Sequence, residues 1–225
     1  GETSLADAYF DTRGSGGQQR VVLPADVNIS DDREIFESVR MRRPDFVVNC
    51  VVDSGVDQAE MDPSECRRVN HDLPVSLAIA CREFGATLIQ LSTDYIFDGQ
   101  KDIAYFEDDA PHPINLYGQA RLEAERDIAS LIDQHVILRV SHLFAPGPQS
   151  FVASVLARAR VESELPMVAD ERGCPTSIFD LARVISAVID QLHTGAGAYG
   201  AYHVGCQGEA SWLDLGECII AQARQ

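Results

Sequence analysis

A hydroxyl, a phenol and a guanidinium lie close together in the chain at a spacing that suits proton transfer. Thr93 ends an apolar run, and Tyr117 opens a helical pattern after a proline-containing loop. Arg121 follows Tyr117 by one helical turn on the same face. A phenol can pass a proton to or from a carbonyl oxygen, and a nearby cation lowers its pKa by stabilising the phenolate. The trio predicts an acid–base site with a lowered pKa for Tyr117.

Each of these residues, taken singly, also fits a purely structural explanation. The Ser92-Thr93-Asp94 run at a strand end is typical of a turn or a helix cap. Tyr117 and Arg121 fit an ordinary pair on the surface of a helix. The joint pattern and its flanking residues favour the chemical explanation.

Apolar runs alternate with helical patterns through most of the chain. The predicted strands are residues 20–23, 45–51, 87–92 and 134–140, and the predicted helices are residues 3–10, 32–41, 63–84 and 117–131. Strands separated by helices indicate βαβ units and a parallel sheet covered on both faces. We therefore expect an α/β fold with a Rossmann-like, doubly wound parallel sheet. Ligands of such sheets bind beyond the carboxyl ends of the strands, where Thr93 lies.

The pattern changes near residue 146, where Pro146-Gly147-Pro148 interrupts the chain. We predict a dinucleotide-binding domain over residues 1–145 and a small, mainly substrate-binding lobe over residues 146–225. Within that lobe, a helical segment at about residues 177–195 could return to the main domain.

Composition and charge restrict the partners. The 225 residues carry a formal net charge of −17 that is spread along the chain, which opposes binding to nucleic acid or anionic membrane. No apolar run approaches the length of a membrane span and no signal-peptide pattern is present, so we expect a cytoplasmic protein. The six cysteines show no C-x-x-C spacing, which favours free thiols and no metal site.

The first residues carry a further expectation. The chain starts at Gly1 and enters a helical pattern almost at once. In a dinucleotide-binding fold a strand and a Gly-rich phosphate loop precede that helix. We therefore expect the first strand and this loop to be missing, with Gly1 in the position of the last loop glycine.

Several motifs occur in a fixed order. They are Ser92-Thr-Asp-Tyr-Ile-Phe-Asp-Gly99, Tyr105-x-Glu107-x-Asp109, Pro113-Ile-Asn115-x-Tyr117-Gly118, Leu122-x-x-Glu125, Gly173-x-Pro175-Thr176 and Ser211-Trp212. In this order they resemble the dTDP-4-dehydrorhamnose reductase family of extended short-chain dehydrogenase/reductases. The resemblance covers nearly the whole chain.

The resemblance implies an oxidoreductase of dTDP-rhamnose and polysaccharide biosynthesis that uses NADP or NAD. It would reduce the C4 keto group of a nucleotide-linked deoxysugar, with Tyr117 as proton donor, Thr93 holding the carbonyl and Arg121 beside the cofactor. The implied cofactor-binding residues are Gly1, Asn49, Cys50, Val51, Ser92, Tyr117 and Arg121, and the implied substrate-binding residues are Asp94, Asn115, His142, Arg172, Pro175 and Thr176. The partner is a nucleotide sugar, and a homodimer is a possible assembly.

Two departures from the family pattern leave a second function open. Arg121 stands where the family has lysine, and the strand end Asn49-Cys50-Val51-Val52-Asp53 is bulkier than the family's alanines. Arginine keeps the charge, but its planar fork is larger and it cannot release a proton. The alternative is a non-catalytic binding or regulatory protein on the same scaffold, similar to the β subunit of methionine adenosyltransferase. Retention of Thr93 and Tyr117 favours the enzyme.

Overall fold

A computed structural model describes residues 31–148 and 150–224. The predictions for residues 1–30 lie outside the described residues. They include Gly1 as a cofactor contact, the helix at 3–10, the strand at 20–23 and the missing first strand and phosphate loop.

Helices and strands alternate along the described chain. The helices are α1 (Asp32–Arg42), α2 (Val56–Met61), α3 (Pro63–Arg67), α4 (Leu73–Phe84), α5 (Leu116–Leu131), α6 (Phe151–Ala159), α7 (Ile178–His193) and α8 (Trp212–Ala223). The strands are β1 (Phe46–Asn49), β2 (Thr87–Thr93), β3 (His135–Val140), β4 (Leu143–Phe144), β5 (Arg172–Gly173), β6 (Thr176–Ser177), β7 (Gly200–Val204) and β8 (Ala210–Ser211). A π-helical turn, Arg68–Asp72, and a 3₁₀ turn, Asp94–Ile96, complete the list.

The described residues form two compact units. The first, here called the sheet unit, comprises residues 31–139 and 195–203, and the second, the C-terminal unit, comprises residues 140–148, 150–194 and 204–224. The segment 195–203 thus belongs to the sheet unit, and α7 belongs to the C-terminal unit. The predicted domain boundary at residue 145 stays a prediction.

A four-stranded sheet with the order β1-β2-β3-β7 organises the sheet unit. β1 and β2 are parallel, with Phe46 opposite Thr87 and Asn49 opposite Gln90. Every residue of β2 is buried, as expected for a strand covered on both faces. The parallel pairing brings the ends of β1 and β2 to the same sheet edge, so Asn49 and Thr93 both lie there.

The apolar face predicted within residues 63–84 forms part of the core. Leu73, Leu77 and Cys81 of α4 pack in one cluster with Leu88 of β2 and Ile128 of α5. This stretch was predicted as one helix, but the π-helical turn divides it into α3 and α4. α4 ends at Phe84 and is capped by Gly85, whose φ of 74° is the left-handed conformation that glycine adopts readily.

Two short strand pairs and three helices build the C-terminal unit. β4 and β6 pair in parallel, and β5 and β8 pair antiparallel. α8 begins with a capping box in which Ser211 and Asp214 bond each other's backbone N–H groups. The ring of Trp212 lies 4.8 Å from Phe151 of α6 and 4.2 Å from His142.

Three general properties can be reported for the described part of the chain. None of its helices combines the length and apolar character needed to cross a membrane. No group of three or more His, Cys, Asp or Glu side chains within it could hold a metal ion. All six cysteines of the sequence lie within this described part, and each is a free thiol.

Candidate active site

The end of β2 presents Thr93 at the sheet edge. Its side chain is 5% exposed, and its hydroxyl accepts a hydrogen bond from the backbone N–H of Tyr95 at 3.2 Å. This bond caps the following 3₁₀ turn, so the structural role considered for the Ser-Thr-Asp run is present. The cap fixes the direction in which the Thr93 hydroxyl can act.

The start of α5 positions Tyr117. The side chain of Asn115 caps this helix by accepting a hydrogen bond from the Gly118 N–H at 2.7 Å. Tyr117 is only 5% exposed, and its ring contacts Tyr95 edge-on with the centroids 5.7 Å apart. It packs with Cys66 in a small apolar cluster. The phenol is therefore buried and held in one orientation.

Burial dominates the ionisation of this phenol. Desolvation raises the pKa of Tyr117, whereas the charge of Arg121 and a hydrogen bond with the Thr93 side chain lower it by less. The prediction of a lowered pKa is therefore wrong in its net direction, because it omitted burial. The charge of Arg121 lowers the pKa of Tyr117, as expected, but this effect is smaller than the increase caused by desolvation.

Arg121 lies beneath the same sheet edge and is 2% exposed. Its Nη2 donates a hydrogen bond to the backbone carbonyl of Leu91 in β2. Its Nε and Nη1 have no hydrogen-bond partner among the described residues. Burial lowers the pKa of Arg121, while the charges of Tyr117 and Glu125 oppose that effect. Two nitrogens of this guanidinium thus lack a hydrogen-bond partner among the described residues beside the phenol.

The predicted cofactor residues at the end of β1 are tied into the sheet. Asn49 donates from Nδ2 to Gln90 Oε1 at 2.9 Å and accepts at Oδ1 from the Val51 N–H at 3.1 Å. Gln90 Nε2 in turn donates to the Leu91 carbonyl at 2.6 Å, the same oxygen that Arg121 contacts. Burial raises the pKa of the Cys50 thiol to about 12, so this thiol stays protonated at neutral pH. Side chains therefore fix the backbone at 49–51 relative to Arg121.

Three other predicted contacts in the sheet unit already have partners. The Ser92 hydroxyl donates to Glu125, and Asp94 accepts from the Thr93 hydroxyl at 3.3 Å. Asn115 uses its side-chain oxygen as the cap of α5. Their roles toward cofactor or substrate stay predictions.

The remaining predicted substrate residues belong to the C-terminal unit. His142 has a left-handed φ of 43°, and its buried Nε2 lies 3.5 Å from Glu171 Oε1. Arg172 is half-exposed and forms ion pairs with Glu209 and Asp214 at 3.0 and 3.5 Å. Thr176 is 1% exposed and donates to the carbonyl of Cys174 at 2.8 Å, and Pro175 between them is half-buried. Arg172 alone among the four predicted residues presents an exposed cation.

Two residues of the site received no predicted role. Gly118 lies where α5 comes closest to the turn after β2. A Cβ added at this position would overlap the Tyr95 carbonyl oxygen and lie 2.9 Å from its carbon. Glu125 lies one helical turn beyond Arg121 and is 5% exposed. The spacing Tyr117, Arg121, Glu125 repeats every four residues, and this periodicity could have indicated that the three share one face.

We expect Gly118→Ala to destabilise the protein by about 1–3 kcal/mol, because the methyl group would push α5 away from the Tyr95 backbone. Alanine favours a helix over glycine by only about 1 kcal/mol, which does not offset the overlap. Urea denaturation measures the change. Gln119→Ala, at the exposed next position, is the control and should shift stability by no more than about 0.5 kcal/mol. Equal stabilities for the two variants would contradict the close contact.

Comparison with known proteins assigns the family. The RmlD substrate binding domain model matches residues 11–225. The chain belongs to this family. A dTDP-4-dehydrorhamnose reductase of Sinorhizobium fredii is 38% identical over 189 residues, which cover 83% of this chain and 64% of that protein. The reductase of Escherichia coli is 31% identical over 198 residues, which cover 88% of this chain and 66% of that protein. The chain thus spans slightly under two thirds of the length of both relatives.

Solved structures confirm the predicted fold class. A dTDP-4-dehydrorhamnose reductase of Clostridium acetobutylicum superposes with a TM-score of 0.88 at 30% identity, covering 100% of this chain and 78% of that one. The Bacillus anthracis reductase in complex with NADP gives a TM-score of 0.89 at 28% identity, covering 98% and 77%. The described chain therefore has the Rossmann-like α/β fold of these enzymes, and the resemblance seen in the motifs is confirmed.

Proposed function

We propose that this protein is a reductase of the dTDP-4-dehydrorhamnose type, which converts the C4 keto group of a nucleotide-linked deoxysugar to an alcohol. One observation carries the proposal: Thr93, Tyr117 and Arg121 converge, buried, at the sheet edge of a chain that matches this family over residues 11–225. A buried phenol with a hydroxyl and a cation beside it is suited to proton donation to a carbonyl oxygen. The departures at Arg121 and at residues 49–53 leave the non-catalytic alternative open, whereas the retained Thr93 and Tyr117 favour the enzyme.

The residues at this edge fit a nicotinamide dinucleotide. A buried guanidinium with two unused donors is costly unless a ligand satisfies it. Ribose hydroxyls would meet this need, so Arg121 and Tyr117 would hold the nicotinamide ribose and the 49–51 backbone would adjoin it. When bound, NADPH or NADH supplies the hydride that adds to the C4 carbon.

The protein's own groups complete the reduction. The Thr93 hydroxyl would hydrogen-bond the carbonyl oxygen and hold it near the phenol. The Tyr117 O–H bond breaks as its proton passes to that oxygen, which balances the hydride added to carbon and leaves a phenolate. Arg121 stabilises the phenolate until solvent returns the proton. The raised pKa keeps Tyr117 protonated at neutral pH, the form that a proton donor requires, while the charge of Arg121 opposes the rise and favours release of the proton.

The partners and cellular site are proposed on separate grounds. The motif resemblance supports a set of six proposed sugar-nucleotide contacts. They are Asp94, Asn115, His142, Arg172, Pro175 and Thr176. The half-exposed Arg172 suits a diphosphate group. The charge of −17 supports the proposal that the protein does not bind nucleic acid. A cytoplasmic location and a homodimer are proposed from the family resemblance.

Absorbance of NADPH tests the activity directly. The full-length protein is incubated with dTDP-4-dehydrorhamnose and NADPH or NADH, and the sugar product is identified by mass spectrometry and NMR. We expect substrate-dependent oxidation of the cofactor and formation of the C4 alcohol. Binding of the sugar nucleotide without turnover by either cofactor would overturn the proposal and favour the non-catalytic scaffold.

A further inference from the structure

The carboxylate of Glu125 is the meeting point of three elements of the sheet unit. Its Oε1 accepts from the Ser92 hydroxyl and from Arg139 Nε, the latter at 3.2 Å. Its Oε2 accepts from Arg139 Nε at 3.1 Å and Nη2 at 2.8 Å. Both oxygens are thus satisfied inside the protein, and the side chains of Glu125 and Arg139 are only 5% and 10% exposed.

These bonds tie the strand that carries Thr93 to the helix that carries Tyr117. Ser92 precedes Thr93 at the end of β2, and Glu125 lies two helical turns after Tyr117 in α5. Arg139 connects the pair to β3 and also donates to the Glu107 carbonyl at 3.1 Å. A shift of β2 along α5 would therefore break the bond between Ser92 and Glu125.

Stability alone does not account for such an arrangement. A buried ion pair is often no more stabilising than well-packed apolar side chains of similar volume. What the carboxylate adds is direction, because its bonds form at only one alignment of strand and helix. That alignment determines whether the Thr93 hydroxyl meets the Tyr117 phenol.

We propose that Glu125 is a positioning residue, which holds Thr93 in line with Tyr117 through its hydrogen bond to Ser92. The expected effect on kcat rests on the proposed reductase function. The expected alignment of Thr93 with Tyr117 does not. In addition, burial lowers the pKa of Arg121, and the negative charge of Glu125 opposes part of that effect, which supports the cation beside the phenol.

Two variants separate this role from a general loss of structure. Ser92→Ala removes the bond to the strand and leaves the pair between Glu125 and Arg139. Glu125→Gln removes the charge and leaves a single amide oxygen, which the Arg139 guanidinium would take, so the Ser92 hydroxyl loses its acceptor. We expect each to lower kcat about tenfold with KM changed by less than about twofold, since misalignment acts on the reacting atoms. The double variant should lose less than the product of the single losses, because both act through one contact.

Glu123→Gln is the matched control. Glu123 lies on the same helix and pairs with an arginine, Arg67, at 2.6 Å, but it forms no hydrogen bond or ion pair with β2 in the described residues. We expect kcat and KM of this variant to equal those of the wild type. If Glu125→Gln does not fold, the kcat and KM of Ser92→Ala alone test the positioning role.

A spectroscopic measurement tests the positioning without turnover. In protein labelled with ¹³C at the tyrosine ring, the Tyr117 signal is assigned by its loss in Tyr117→Phe, and Thr93→Val gives its position when the threonine contact is absent. We expect Ser92→Ala and Glu125→Gln to move the signal toward the Thr93→Val position and Glu123→Gln to leave it unchanged. An unmoved signal in Ser92→Ala would overturn the proposal. An inactive wild type with a moved signal would refute the reductase function and support the positioning role.

Discussion

Tyr117→Phe should lower kcat of the proposed reduction by about 10²- to 10⁴-fold, the usual contribution of a positioned general acid. The ring keeps its contacts with Tyr95 and the apolar cluster, so substrate KM should change by only a few-fold. Stability should change by no more than about 1 kcal/mol, because the Thr93 hydroxyl loses its bond to the phenol but keeps its bonds to Asp94 and the Tyr95 N–H. Steady-state kinetics and urea denaturation of the purified full-length protein measure the two effects.

Tyr202→Phe is the control for this variant. Tyr202 lies in β7 of the same unit and is 38% exposed, so its hydroxyl is available to water. We expect wild-type kinetics from it. A Tyr117→Phe enzyme that retained more than a tenth of wild-type kcat would show that another group donates the proton.

The pH profile should report the same phenol. Reduction requires the protonated form, and burial raises the pKa of Tyr117, so kcat should stay level near neutral pH and fall only above the usual tyrosine value of about 10. The reverse oxidation requires phenolate and should rise over that range. Linkage gives the same sign for stability: a raised folded-state pKa contributes stability below about pH 10 that is lost as pH rises through the folded value. Both trends should be absent in Tyr117→Phe.

Local spacing and motif order predicted the sheet edge well. A threonine at the end of a buried strand and a tyrosine in the first turn of a helix are fixed by local patterns, and the structure brings Thr93 and Tyr117 together. The four-residue spacing likewise placed Arg121 on the face of α5 that carries Tyr117.

Long-range contacts could not be predicted in the same way. The bond from Ser92 to Glu125 joins residues 33 apart in sequence, and no local pattern specifies it. The predicted direction of the Tyr117 pKa shift was wrong, because this pKa depends on burial. The burial arises from packing against Cys66 and Ala120. The left-handed backbone of His142 was also unforeseen, since residues other than glycine rarely adopt it.

Arg121→Met should make the protein more stable and less active. The guanidinium is 2% exposed and leaves Nε and Nη1 unpaired among the described residues, and an unsatisfied buried donor costs about 1–3 kcal/mol. Methionine fills similar space without that cost, so the free energy of unfolding without cofactor should rise by about 1–3 kcal/mol. Loss of the charge that stabilises the phenolate should lower kcat by about 100-fold.

Two further variants separate charge from packing at this position. Arg126→Met changes an exposed arginine on the same helix and should alter neither stability beyond about 0.5 kcal/mol nor kcat. Arg121→Lys keeps a cation with a smaller head group, so its kcat should equal or exceed that of the wild type. Reduced stability in Arg121→Met would mean that the guanidinium is satisfied within the protein, and it would remove the physical reason for a cofactor ribose beside Arg121. Increased stability with lost activity would show instead that the fold keeps an unfavourable buried cation because the reaction requires it.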